Sequence, residues 1–345
     1  MTAMQAMTEP GASRVLMIAN PGGHLQQLHL LDARLPFKGE RLWVTADTAQ
    51  SRSLLADQDV VYVPEVSSRQ FGRLAQNLLP AWSLLRDGGF EAAVSTGSGL
   101  ALAYLPIASA AGVPTHYVES ATRTDGPSLT GSLLHRLRSV NMYTQHRRWS
   151  NATWRYAGSV FDGYSLGSRV GSFAIRRVVV SLGTTQLYGF RRLVERLTSL
   201  LPTNAHTLWQ TGCTDCTDLG IANEPMVPST RLEEAIRSAD LVVAHAGTGI
   251  ALTAFRAGKC PVLVPREHAR GEHVDGHQMQ TARLLESQCL AVVRRAHELS
   301  YSDLIKAASR GVVYDADRAA PLTLLDRAAA RERERTIVPK ASQNA

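Results

Sequence analysis

Four cysteines in 345 residues are too few for a disulfide-built scaffold and suit a reducing compartment. Cys213 and Cys216 form one C-x-x-C, but no second pair or spaced histidine pair accompanies it. Cys260 and Cys289 lie in apolar runs, so neither a zinc nor a redox centre is expected. The N-terminal residues are polar and lack the apolar segment of a secretory signal. The longest apolar stretch, residues 100–113, is too short to span a bilayer and contains Pro106. Acids are missing between Gly126 and Phe161, where Arg136, Arg138, Arg147, Arg148 and Arg155 all occur. The net charge of +7 is nearly all arginine, yet no basic-aromatic repeat points to nucleic acid. A cytoplasmic chain, at most peripheral to a membrane, is the expectation.

What is present is alternation. Strands are expected near Arg14–Ala19, Arg41–Thr45, Val60–Val63, Ala92–Ser95, Thr115–Val118 and Asn141–Thr144, with helical segments between most of them. A second strand-first unit begins at Arg177. Such alternation predicts α/β architecture with parallel, doubly wound sheets. The Gly- and Ser-rich stretch after Gly163 suggests a linker. The division expected is a disordered leader (1–13), a first domain (14–165), a linker (166–176), a second domain (177–330) and a flexible tail (331–345). Thr96-Gly97-Ser98-Gly99-Leu100-Ala101-Leu102 echoes Ala246-Gly247-Thr248-Gly249-Ile250-Ala251-Leu252, as expected of two similar domains facing a cleft.

The densest chemistry lies between His245 and Leu285. An apolar strand ends at a small-residue turn, a helix opens at Thr248, Gly258 stops it, and a second apolar run follows. Gly247 and Gly249 let backbone approach a ligand, and the helix start aims amide donors at a phosphate. The next loop carries Glu272, His273, Asp275, His277 and Gln278, which suit sugar and ribose hydroxyls. The order His245-Ala246-Gly247-x-Gly249, Gly258-Lys259-x-Pro261, Val264-Pro265-Arg266, His273-x-Asp275-x-His277-Gln278, Ala282 and Leu285 closely resembles the donor-binding half of glycosyltransferase family 28. That family includes the MurG-like enzymes, and the small subunit of dolichol-linked chitobiose synthase is similar.

The resemblance implies a GT-B fold and a UDP-sugar donor, with no cofactor and no catalytic metal. It implies donor contacts at His245, Gly247, Thr248, Gly249, Arg266, Glu272, His273, Asp275, His277 and Gln278. Ser181-Leu182-Gly183-Thr184-Thr185 follows the first strand of the second half and matches the G-T-T turn of the chitobiose synthase subunit, which adds Gly183, Thr184 and Thr185. Arg266 reads either as a phosphate partner or as a surface residue.

Gly22-Gly23-His24 follows the first strand of the chain and resembles the acceptor turn of the same family, without the proline that MurG-type enzymes carry shortly after the histidine. The chain looks like the PssD- and PssE-type exopolysaccharide halves fused in order. Gly22, Gly23, Gly97 and Ser98 are the acceptor-site candidates. His24 is the first candidate for the base. Glu119, at a strand end, is the second, and reads equally as a carboxylate that bonds the next loop. Phe71, Leu74, Leu78, Leu79, Trp82 and Leu85 form an apolar stripe bordered by Arg69, Arg73 and Arg86. Such a stripe is either core-facing or suited to an anionic membrane surface, and Pro80 should kink it.

The function expected is inverting transfer from a UDP-sugar to a polyprenyl-diphosphate-linked glycan acceptor, at the inner face of the plasma membrane. A UDP-sugar 2-epimerase of the same fold and a non-catalytic nucleotide-sugar-binding partner are the alternatives.

Overall fold

The computed structural model describes residues 13–66, 71–86, 88–168, 174–183, 187–272 and 276–324, without the side chains of Phe71 and His277. The first half alternates β1 (Arg14–Ile18), α1 (Gly23–Asp32), β2 (Glu40–Thr45), α2 (Ala49–Leu54), β3 (Asp59–Tyr62), α3 (Phe71–Gln76) and α4 (Leu78–Arg86). It continues through β4 (Phe90–Ser95), α5 (Gly99–Ala110), β5 (Thr115–Val118), α6 (Leu129–Arg136), β6 (Asn141–Thr144) and β7 (Trp154–Tyr156). All of these strands pair in parallel, in the order β3-β2-β1-β4-β5-β6-β7. The central strands are buried on both faces, hence their unbroken apolar runs such as Val15–Ile18.

After β8 (Tyr164–Ser168), the second half runs β9 (Arg177–Ser181), α7 (Arg191–Leu200), β10 (His206–Gln210), β11 (Asn223–Glu224), α8 (Ser229–Ser238), β12 (Leu241–His245) and α9 (Thr248–Arg256). Then come β13 (Val262–Val264), α10 (His277–Ser287), β14 (Val292–Val293), α11 (Tyr301–Ala308) and β15 (Arg310–Tyr314). The second sheet, also parallel, has the order β11-β10-β9-β12-β13-β14. Both halves are therefore doubly wound, Rossmann-like units. In each the strand order reverses beside the first strand, between β1 and β4 and between β9 and β12. A crevice opens there at the carboxyl ends of the strands.

The stretch read as a linker opens as structure. β8 pairs antiparallel with β15, Tyr164 opposite Tyr314 and Ser168 opposite Arg310, and only residues 169–173 fall outside the description. A strand whose partner lies some 150 residues away (positions 164 and 314) leaves no local periodic signal. Residues after β15 cross back to the first half. Leu322 N donates to Arg34 O, Thr323 N to Ala157 O, and Arg34 reaches Ala320 O at 2.9 Å and Asp162 at 2.9 Å. The expected leader, apart from Ser13, and the expected tail lie outside the described residues. One apolar core joins the halves through Phe161, whose ring centroid lies 6.4 Å from that of Phe255 on α9. Among the described residues no helix is long and apolar enough to cross a membrane.

Candidate functional site

The two crevices face each other, and the first turns of α1 and α9 meet between them. A Cβ on Gly23 would stand 3.9 Å from Gly249 N, and one on Gly249 would stand 2.7 Å from Gln26 Oε1. Gln26 Nε2 donates to Thr253 Oγ1 at 2.9 Å across the gap. Helix α1 is buried on both sides, which explains polar Gln26 and Gln27 among Leu25, Leu28 and Leu31.

At the first crevice, Gly22 (φ 91°) lets the chain turn from β1 into α1, and its N–H donates to Gln50 Oε1 at 2.5 Å. Ser98 precedes α5 in a related backbone conformation, φ 76°, which non-glycine residues rarely adopt. Its hydroxyl accepts Asn20 N at 3.3 Å, tying the two turns together. The His24 ring lies over Gly97, where a Cβ would come within 3.0 Å of its Cε1. His24 Nδ1 lies 2.9 Å from Thr96 O, so this nitrogen carries the proton and Nε2 keeps a lone pair. Burial pushes the His24 pKa below its usual value, Thr96 O partly offsets this, and the Arg123 charge adds to it. The imidazole is thus neutral at pH 7 and able to accept a proton.

Glu119 does bond the next loop. It is 1% exposed, and its carboxylate accepts Tyr117 OH (3.2 Å), Ser120 N (3.1 Å), Ser128 N (2.8 Å) and Ser128 Oγ (3.0 Å). Gly131 leaves room for it, since a Cβ there would collide with Oε2. Burial pushes its pKa up, and the bonds from Ser128 and Ser120 hold it back. Four donors on two oxygens make it the anchor of the loop that ends at the start of α6. Gln27 and Gln145 continue that anchoring. Gln27 Oε1 accepts Ala121 N at 2.9 Å, and Gln145 donates to Glu119 O at 3.0 Å.

At the second crevice the glycines house a histidine. A Cβ on Gly183 would lie 2.8 Å from His245 Cε1, and one on Gly247 would collide with Nε2. His245 Nδ1 lies 3.3 Å from Ser181 O, across the β9–β12 boundary. Gly247 precedes α9, and Thr248 in its first turn is buried with no partner for Oγ1 among the described residues. A helix N-terminus with an unsatisfied buried hydroxyl is a site that accepts an anion.

Arg266 is not the surface residue that one of its two readings made it. It is 2% exposed, and its guanidinium donates to the carbonyls of Leu182 (2.7 Å), Tyr188 (2.5 Å) and Gly189 (3.0 Å) while lying over the Phe190 ring. Gln278 Oε1 accepts Arg266 N at 3.0 Å. The Glu272 carboxylate is engaged bidentately by Arg192 (2.6 and 2.9 Å) and accepts Glu267 N at 2.9 Å. These bonds hold the loops after β9 and β13. Thr184, Thr185, His273 and Asp275 lie outside the described residues, as does the side chain of His277.

Gln26, Gln27, Gln145, Thr253, Phe190 and Arg192 were not legible as site residues. A glutamine pair inside an otherwise apolar helix was the one available sign. Among the described residues no group of three or more His, Cys, Asp and Glu is placed to hold a metal ion.

Residues 177–321 match the glycosyltransferase family 28 C-terminal domain. Among solved structures, the chain resembles Acinetobacter baumannii MurG (17% identity, TM-score 0.54, 85% of this chain and 89% of that one). It also resembles the glycosyltransferase SnogD from Streptomyces nogalater (18%, 0.54, 86% and 93%) and the calicheamicin glycosyltransferase CalG4 (17%, 0.53, 96% and 100%). At these identities the likeness speaks for the fold. No curated protein matches the sequence. The chain thus has a two-domain GT-B fold, and its residues 177–321 match the C-terminal domain of glycosyltransferase family 28.

Proposed function

We propose that this glycosyltransferase moves a sugar from a UDP-sugar to a polyprenyl-diphosphate-linked saccharide, with inversion, in exopolysaccharide or cell-envelope glycan assembly. The observation that carries the reading is the apposition of two unlike turns. One presents a neutral imidazole with a free lone pair, and the other presents the α9 N-terminus with the unsatisfied Thr248 hydroxyl. His24 Nε2 takes the proton of the acceptor hydroxyl as its oxygen attacks the anomeric carbon. The bond to the diphosphate breaks, and UDP leaves with the electron pair. The amides of α9 stabilise the charge that develops. A single displacement turns an α-linked donor into a β-linked product.

The membrane part of the reading rests on α3 and α4. The helix breaks at Asn77, three residues before Pro80, which leaves Pro80 in the first turn of α4 where no amide donor is needed. Leu85 is buried, but Leu79 (79%) and Trp82 (53%) are exposed, with Arg73 and Arg86 exposed beside them. The stripe is therefore only partly core-facing, and its outer half suits an anionic leaflet. Arg69 lies outside the described residues.

The test is UDP release by the purified protein with UDP-glucose, UDP-galactose, UDP-N-acetylglucosamine and UDP-glucuronic acid, each with and without a membrane extract supplying lipid-linked acceptors. Acceptor-dependent release with one donor supports the proposal and names the sugar. Release that needs no acceptor, or none with any donor, counts against it.

A further inference from the structure

Gln26 lies two residues beyond His24 on α1, and Thr253 lies one helical turn beyond Gly249 on α9. The Gln26 amide donates to Thr253 Oγ1 at 2.9 Å, and the same hydroxyl donates to Gly249 O at 3.1 Å. Gln26 is 7% exposed, so breaking this bond leaves a largely buried amide short of a partner. Gly249 has no side chain where a Cβ would press on Gln26 Oε1, and this lets the two helix starts close up. The bond therefore joins the helix that carries the imidazole to the helix whose N-terminus faces the donor turn. It touches neither the Nε2 lone pair of His24 nor the Thr248 hydroxyl.

We propose that Gln26 is a positioning residue, latched to Thr253, that sets the spacing between the acceptor-side turn and the donor-side turn and so governs the rate of transfer without contributing to donor affinity. The inference rests on the function proposed above. Its physical basis is the steep dependence of a displacement on the separation of the reacting atoms, for which a misplacement of about 1 Å costs on the order of a hundredfold.

The experiment uses the full chain as wild type, Gln26→Leu, Thr253→Val and the double variant. Three quantities are compared: transfer kinetics with the donor that supports UDP release, the Kd for UDP, and amide hydrogen exchange of the first turns of α1 and α9. The expected result is a kcat lower by at least about fivefold in each single variant. UDP affinity stays within about twofold of wild type, and the double variant is no worse than the poorer single one, because both substitutions break one bond. Unchanged kcat in either single variant, losses that multiply in the double variant, or a loss confined to UDP affinity would each overturn the proposal. If the wild-type protein transferred no sugar, the proposed function would fall by itself. The latch would then be judged on exchange, where faster exchange at both helix starts in each single variant sustains it and unchanged exchange overturns it.

Discussion

The two halves share a strand order and place a histidine at the point where that order reverses, but they use it in opposite senses. In the first half His24 enters from the β1 side and bonds Thr96 O, just beyond β4. In the second half His245 ends the fourth strand, β12, and bonds Ser181 O at the end of the first, β9. His24 lies over one glycine, its distal nitrogen without a partner among the described residues, whereas His245 is enclosed by Gly183 and Gly247. The same crevice thus surrounds its histidine differently in the two halves. Fold alone does not assign the chemistry.

The sharpest way to break this comparison is to remove the first ring. His24→Ala should lower kcat by about 10²- to 10⁴-fold with little change in thermal stability, the range for loss of a general base. Steady-state kinetics beside a melting curve checks it, and a variant that keeps full transfer would move the base elsewhere. On the donor side Gly247→Ala should abolish detectable UDP binding in a titration, since the added methyl collides with the His245 ring. Unaltered UDP affinity would mean that this turn is not the donor site.

Arg266→Met distinguishes an anchor of backbone carbonyls from a phosphate partner. Leaving the buried carbonyls of Leu182 and Glu272 without their donor should cost about 3 kcal/mol of stability in urea unfolding. A phosphate ligand would instead raise the donor KM and leave the unfolding midpoint in place.

Glu119→Gln should cost about 2 kcal/mol, because the new amide group faces donors where the carboxylate accepted four. Transfer by the folded fraction should fall less than about tenfold. A loss as deep as that of His24→Ala would make Glu119 the base.

The smallest expected effect is in the pH profile. Burial lowers the pKa of His24 from 6.5, so transfer should be lost only as pH falls through that lowered value, and the acid limb of kcat/KM should lie below 6.5. His29 and His146 are shifted in the same direction. Below about pH 6.5 the unfolded chain binds more protons than the folded one, so stability should decline as pH drops from there toward the lowered values. A plateau of stability across this window would contradict these shifts.

Much of the fold was legible because its signals are local. The first-half strands announced themselves as apolar runs between turn residues, and His245 to Leu285 carried strand, glycine turn and helix in order. The β8–β15 pair escaped because its partners are far apart in sequence, and Tyr164–Ser168 has the composition of a linker. The site was legible as turns and illegible as bonds. Arg266 and Glu272 have residue types that suit a nucleotide sugar, yet their charged groups are spent on backbone carbonyls and on Arg192.

By itself the sequence determined the strand alternation, the pairing of two similar halves and the glycine turns that open α1, α5 and α9, because hydrophobic period and turn chemistry act over a few residues. Only the tertiary structure decided which polar groups face the cleft. A buried arginine, glutamate or glutamine must spend its donors and acceptors on whatever the fold brings near, and that neighbour is set by packing between distant segments.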